Sequence, residues 1–139
     1  MTNDNKPLKD FENFMIKRLK ASNDYVNGNF VPLENISVKR SPATIFPPPG
    51  ICIQGVNEVN AFNEKGASNF LPGAKNEFEV MHQDADEHLA YWTGVQHSIV
   101  KMKGQDTEVL FNLRVTEIFR KENGEWKLMH RHADKLTEP

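Results

Sequence analysis

The sequence predicts an α+β domain, with helices first and a curved antiparallel sheet packed against them. Three observations carry that expectation. Apolar residues recur every three or four positions only in the first half of the chain. From residue 76 onward apolar and polar residues alternate with a period of two. Gly-containing turns near 104 and 124 separate the alternating stretches, as in a meander of hairpins.

Residues 1–6 are polar and expected to be loose. Pro7 suits a helix start, and Leu8, Phe11, Met15, Leu19, Ser22 and Val26 form one stripe of a 3.6-residue period, to a stop at "NGN" (27–29). "VPLENISVK" adds a short helix after Pro32. "SPATIFPPPG" loses three backbone donors after Phe46, so it reads as an edge strand or extended arm. Gly55 precedes a third helix, "VNEVNAFNEKGASNF", with Val56, Val59, Phe62 and Phe70 inward and Gly66 interrupting or ending it. Strands follow in "NEFEVMHQDA", "HLAYWTGVQHSIVKM", "EVLFNLRVTEIFRK" and "WKLMHRHADKL". No linker or repeat divides the chain, so residues 1–139 read as one domain. A sheet curled around helices leaves a blind cavity, the usual setting for a small-molecule site.

Composition narrows the function. With 26% charged residues and a formal net charge of −2, no whole-molecule field favours nucleic acid or an acidic membrane. The single cysteine, Cys52, excludes an internal disulfide and reads as an inert thiol. No apolar run approaches the ~20 residues that span a bilayer, and no signal core opens the chain. The expectation is a cytoplasmic protein without cofactor, nucleic-acid or membrane partner.

"YVNGNFVPLENI", "SPATIFPPPG", "LAYWTG" and "LRVTEIFRKENGEWKLMHRHAD" resemble SnoaL-like, ketosteroid-isomerase-like proteins of the nuclear transport factor 2 superfamily. The resemblance runs from about Leu8 to Leu136. It implies a cone-shaped α+β fold (also called cystatin-like) whose open end admits a small molecule, usually in a homodimer. The family includes isomerases, cyclases and dehydratases. It also includes the association domain of calcium/calmodulin-dependent kinase, a non-catalytic assembly module with a similar final hairpin. Fold therefore does not settle function.

The isomerase mechanism needs a carboxylate base and two strong donors for an oxyanion. The segment matching the family's base offers Phe46 and Pro47. The helix tyrosine falls near Ala21, with Tyr25 one turn later. The third position falls at Glu117 or Thr116. The isomerase set is thus not retained: at most one of its three positions survives, as Glu117 if the gap is placed to align it.

The final hairpin decides which side chains face inward. A two-residue Asn123–Gly124 turn would place Glu117 opposite His130. A three-residue turn shifts parity and puts Glu117, Met129 and Arg131 on one face; the geometry usual in the resembled family favours it. Trp92 and Tyr91 occupy opposite faces of their strand. The candidate ligand-binding residues are Trp92, Glu117, Met129 and Arg131, and the candidate proton carriers are Glu117 and His132. His130, His132 and Asp134 suggest a metal only weakly, since spacing fixes no further ligand, and a structural role for the histidines is preferred. The expected function is small-molecule binding with lyase, cyclase or isomerase-type turnover of an apolar or acidic metabolite. The alternative is an oligomerisation or ligand-sensing module.

Overall fold

The computed structural model describes residues 5–137. The expectation of a loose start lies outside the described residues for 1–4, whereas Asn5 is held as the cap of the first helix and Lys6 is its first residue. The Asn5 side chain caps α1 (Lys6–Val26) by accepting from the Leu8 amide at 3.0 Å, and Pro7 occupies the first turn, where a missing N–H costs nothing. α1 buries Phe11, Met15, Arg18, Ala21, Ser22 and Val26. Leu19, expected in that stripe, is only half-buried, and a cation, Arg18, takes the fully buried place.

α2 spans Val31–Asn35 and α3 Val56–Ala67. The strands are β1 (Thr44–Phe46), β2 (Ile53–Gln54), β3 (Phe70–Ala85), β4 (Leu89–Met102), β5 (Val109–Leu110), β6 (Leu113–Glu122) and β7 (Glu125–Lys135). Phe70, expected on the third helix, opens β3 instead. They form one curved, unclosed sheet in the order β2-β1-β7-β6-β4-β3, with β5 alongside β4. The predicted meander is present in β3, β4, β6 and β7. The "SPATIFPPPG" strand corrects the expectation of an edge: β1 lies inside the sheet, antiparallel to β2 and parallel to β7, so the sheet is mixed. The three prolines follow β1, where the Gly50 amide donates to Pro47 O at 3.0 Å, and they remove no ladder hydrogen bond.

Gly66 does not break α3. It lies one residue before the helix end, and an added Cβ there would collide with the Tyr25 hydroxyl. Absence of a side chain at 66 is what lets Tyr25 reach past α3. The main core joins α1 to the sheet: Phe11 packs on Phe119 and Trp126 at ring-centroid distances of 5.1 and 5.7 Å. Burying each such ring contributes about 1.5–3 kcal/mol. Trp126, just after the final turn, is thus buried against α1. Among the described residues no helix is long and apolar enough to cross a membrane.

Candidate functional site

The hairpin turn is the two-residue kind, with Asn123 at φ 52° and Gly124 at φ 80°, and Glu122 pairs with Glu125. That turn alone would set Glu117 opposite His130. A register shift in β7 intervenes, however: Phe119 pairs with Leu128 while Ile118 pairs with His130, so Met129 is an extra residue. The bulge reverses parity and brings Glu117 opposite Arg131. The expected pairing is therefore present, by a different device from the expected three-residue turn.

Trp92, Glu117 and Arg131 form one cross-strand row over β4, β6 and β7. All point to the helix-covered face, where α1 lays Arg18 over them. Arg18 meets Glu117 side-on, Nε to Oε1 at 2.9 Å and Nη2 to Oε2 at 2.7 Å. Trp92 Nε1 donates to Oε1 at 2.8 Å, and Arg131 Nη1 to Oε2 at 2.6 Å. These donors fill the carboxylate's acceptor capacity. Arg131 Nη2 donates to Gln96 Oε1 at 2.6 Å, and Gln96 Nε2 donates to Asn76 Oδ1 at 2.8 Å. Asn76 Nδ2 in turn donates to Ser22 Oγ at 3.0 Å, returning the network to α1.

Burial alone would raise the Glu117 pKa. The Arg18 and Arg131 charges and hydrogen bonds outweigh it and hold the carboxyl down at about 2. Glu117 is therefore an ionised counter-ion, 0% exposed. Tyr25 goes the other way: burial pushes its phenol up to about 12 against the opposing pull of Arg131 and Arg18, so it stays a neutral donor.

Beside this cluster lies a cavity of about 340 Å³. Its wall is mostly apolar, from Ile45 and Leu113 to Val56, Val59 and Phe62 of α3, with Pro47–Pro49 at its border. Arg18, Ser22, Tyr25, Asn63, Gln96 and Arg131 form much of the polar part. Among the described residues no Asp, Glu, His or Lys lines it.

Of the candidates from sequence, Arg131 and Met129 border the cavity. Trp92 and Glu117 do not: both are fully buried behind the arginines, which correct their expected place at the wall. His132 is also misplaced by that expectation. It pairs with Thr116 on the outer face and stands edge-on to Phe46 at 5.5 Å. Its neighbour His130 shares a 2.6 Å hydrogen bond with Thr44 Oγ1 across the β1–β7 pairing. Burial, then His132, lowers the His130 pKa. Arg114 forms an exposed ion pair with Asp134 at 2.7 Å. Sequence reading missed Arg18, Gln96 and Asn63 altogether.

A cone-like α+β sheet over helices, with an internal cavity beside a buried ionic cluster, describes a recognisable class of small domain. The chain belongs to the SnoaL-like domain family, whose model matches residues 33–134. Its fold is similar to a candidate dehydratase of the NTF2-like family from Streptomyces avermitilis, at 17% identity and TM-score 0.76, covering 94% of this chain and 98% of that one. A ketosteroid isomerase-like protein from Erwinia carotovora atroseptica is similar over 99% of this chain and 100% of its own, at 14% identity and TM-score 0.75. A candidate calcium/calmodulin-dependent protein kinase type II association domain from Thiobacillus denitrificans shares 10% identity at TM-score 0.69, over 87% and 93% of the two chains. At these identities the likeness is one of fold. No curated protein sequence matches the chain.

Proposed function

We propose that this protein binds an apolar small molecule in the cavity, and that Glu117 serves there as a buried counter-ion and not as an acid–base group. The observation that carries the reading is an apolar cavity of about 340 Å³ with two arginines in its wall. This volume falls within the ~300–1,000 Å³ of small-molecule sites, and few polar groups on an apolar wall are their usual composition.

Lyase, cyclase or isomerase turnover is the less favoured part of the family's range. Such steps need a proton acceptor at the ligand. Glu117 has both oxygens engaged and a pKa near 2, and it stands behind Arg18 and Arg131. The donors at the wall (Arg18, Arg131, Tyr25) can orient or polarise a ligand without moving a proton. The assembly-module alternative rests on likeness of fold to a kinase association domain, and a buried guanidinium facing a cavity favours a ligand over it. The same reading takes the protein as a cytoplasmic homodimer, with the sheet's outer face around Thr93, Thr116 and His132 as the partner surface.

The test is a fluorescence titration with Nile red, a neutral apolar dye, on wild type and Val59→Trp. Val59 is half-buried on the cavity side of α3, so an indole there fills the space. Saturable binding to wild type that Val59→Trp abolishes, with circular dichroism unchanged, supports the reading. No saturable binding of Nile red or of a shorter apolar ligand, or binding that the filled variant retains, contradicts it.

A further inference from the structure

The ionic cluster is not neutral. Two guanidiniums, Arg18 and Arg131, share a single carboxylate, Glu117. One positive charge is left over at a site almost closed to water, and an uncompensated buried charge is expensive. Among the described residues nothing offsets it. Glu117 is saturated, Tyr25 stays protonated, and the cavity wall carries no other acid among the described residues.

The leftover charge has a direction. Arg18 is 3% exposed, and its Nε and Nη2 are held by Glu117, whereas Nη1 is buried without any hydrogen-bond partner. Arg18 is also part of the cavity wall. Arg131 commits two nitrogens, one to Glu117 and one to Gln96, and borders the same space. Gln96 cannot turn away from it, because its amide nitrogen is tied to Asn76. The result is a pair of braced guanidiniums with unused donors beside an apolar cavity.

We infer that the ligand is an apolar monocarboxylic acid bound as its anion, its carboxylate against Arg18 and Arg131 and its hydrocarbon body along α3, Leu113 and Met129. This rests on the cavity-binding reading above and narrows its ligand class. A single negative charge balances the cluster, whereas a phosphate dianion overshoots it and a neutral ligand, even one whose oxygen accepts from Nη1, leaves the charge uncompensated. A planar carboxylate also suits guanidinium donors. The remaining wall offers hydrocarbon contact and no charge to a longer polar ligand.

The experiment is isothermal titration calorimetry of the full chain with octanoate, octanamide, 1-octanol and acetate, between pH 7 and pH 4. Octanoate is expected to bind about ten- to a hundred-fold tighter than octanamide or octanol at pH 7, the range for a charge-assisted hydrogen bond. Arg131→Gln should erase that gap. The pH series needs no variant: affinity for octanoate should fall once pH drops below the acid's own pKa, while that for octanamide stays flat. Octanamide matching octanoate overturns the anion claim and leaves cavity binding standing. Acetate matching octanoate means a small-ion site and also overturns it. Failure of all four, with Nile red equally inert, removes both readings.

Discussion

Arg18 and Glu117, 99 positions apart in sequence, meet through two parallel hydrogen bonds of 2.9 and 2.7 Å in a place closed to solvent. This contact ties α1 to the middle of the sheet, and its strength depends on both members being present. Removing Glu117 leaves two guanidiniums buried together. Glu117→Ala is therefore expected to cost about 3–5 kcal/mol of stability, the usual penalty for orphaning a buried charge. Replacing the whole cluster (Arg18→Met, Glu117→Leu, Arg131→Met) should recover most of that loss. Urea denaturation of the three proteins checks both statements; a mild effect of Glu117→Ala would mean that the cluster is already hydrated.

The same carboxylate sets an acid limit. Its folded pKa of about 2 lies below the ordinary value of 4.5, so its contribution is fully present above pH 4.5 and is lost as pH falls toward 2. That difference amounts to about 3 kcal/mol by linkage. In a urea series from pH 6 to pH 2.5, wild type should lose stability steadily below 4.5. Glu117→Gln should begin less stable and decline less steeply over that window. Parallel curves would show that other carboxylates govern acid unfolding.

Trp92 supplies the fourth donor to Glu117, at 2.8 Å. Trp92→Phe keeps an aromatic ring to stack on Phe78, whose centroid lies 4.6 Å away, but deletes the indole N–H. A hydrogen bond to a charged group is worth about 1.5–3 kcal/mol, so a thermal or urea midpoint should fall by an amount in that range. The loss should vanish in a Glu117→Leu background, where the indole has no carboxylate to serve. A full loss in both backgrounds would make it a packing effect alone.

Gly66 and Tyr25 make a steric pair. Gly→Ala inside a helix ordinarily gains about 1 kcal/mol. Here the new methyl meets the Tyr25 hydroxyl, and Gly66→Ala is expected to cost about 1–3 kcal/mol, as overpacking does. In a Tyr25→Phe background the clash is gone and the same change should become neutral or stabilising. A double-mutant cycle on thermal midpoints reads the sign change directly.

Much of this architecture was legible in residue periods. The α1 stripe and the four alternating strands follow from spacing alone. Arg18 is hard to read as an inward residue because a cation ordinarily lies off an apolar stripe, although Phe11, Met15, Arg18 and Ser22 share its steps of four, three and four. The Glu117–Arg131 pairing was expected from a three-residue turn, whereas a bulge at Met129 produces it, and nothing in the local chemistry of "WKLMHRH" announces an extra residue. Once Arg131 faces inward, His132 must face outward by the period of a strand, so its assignment as a cavity residue conflicted with Arg131's own. The parallel β1–β7 pairing was hidden because local sequence does not encode which distant strand a short segment will join. Trp92 and Glu117 share the inner face as expected, but depth within that face depends on Arg18 and α1, which lie far away in the chain.

The central claim is that a small molecule belongs in this cavity. Native mass spectrometry of gently purified protein tests it most directly, with denaturing mass spectrometry of the same sample as the baseline. The expected result is a folded protein carrying a small-molecule adduct, released on denaturation and absent from Val59→Trp. An adduct-free wild type, with a melting temperature unmoved by octanoate and Nile red, would contradict the account.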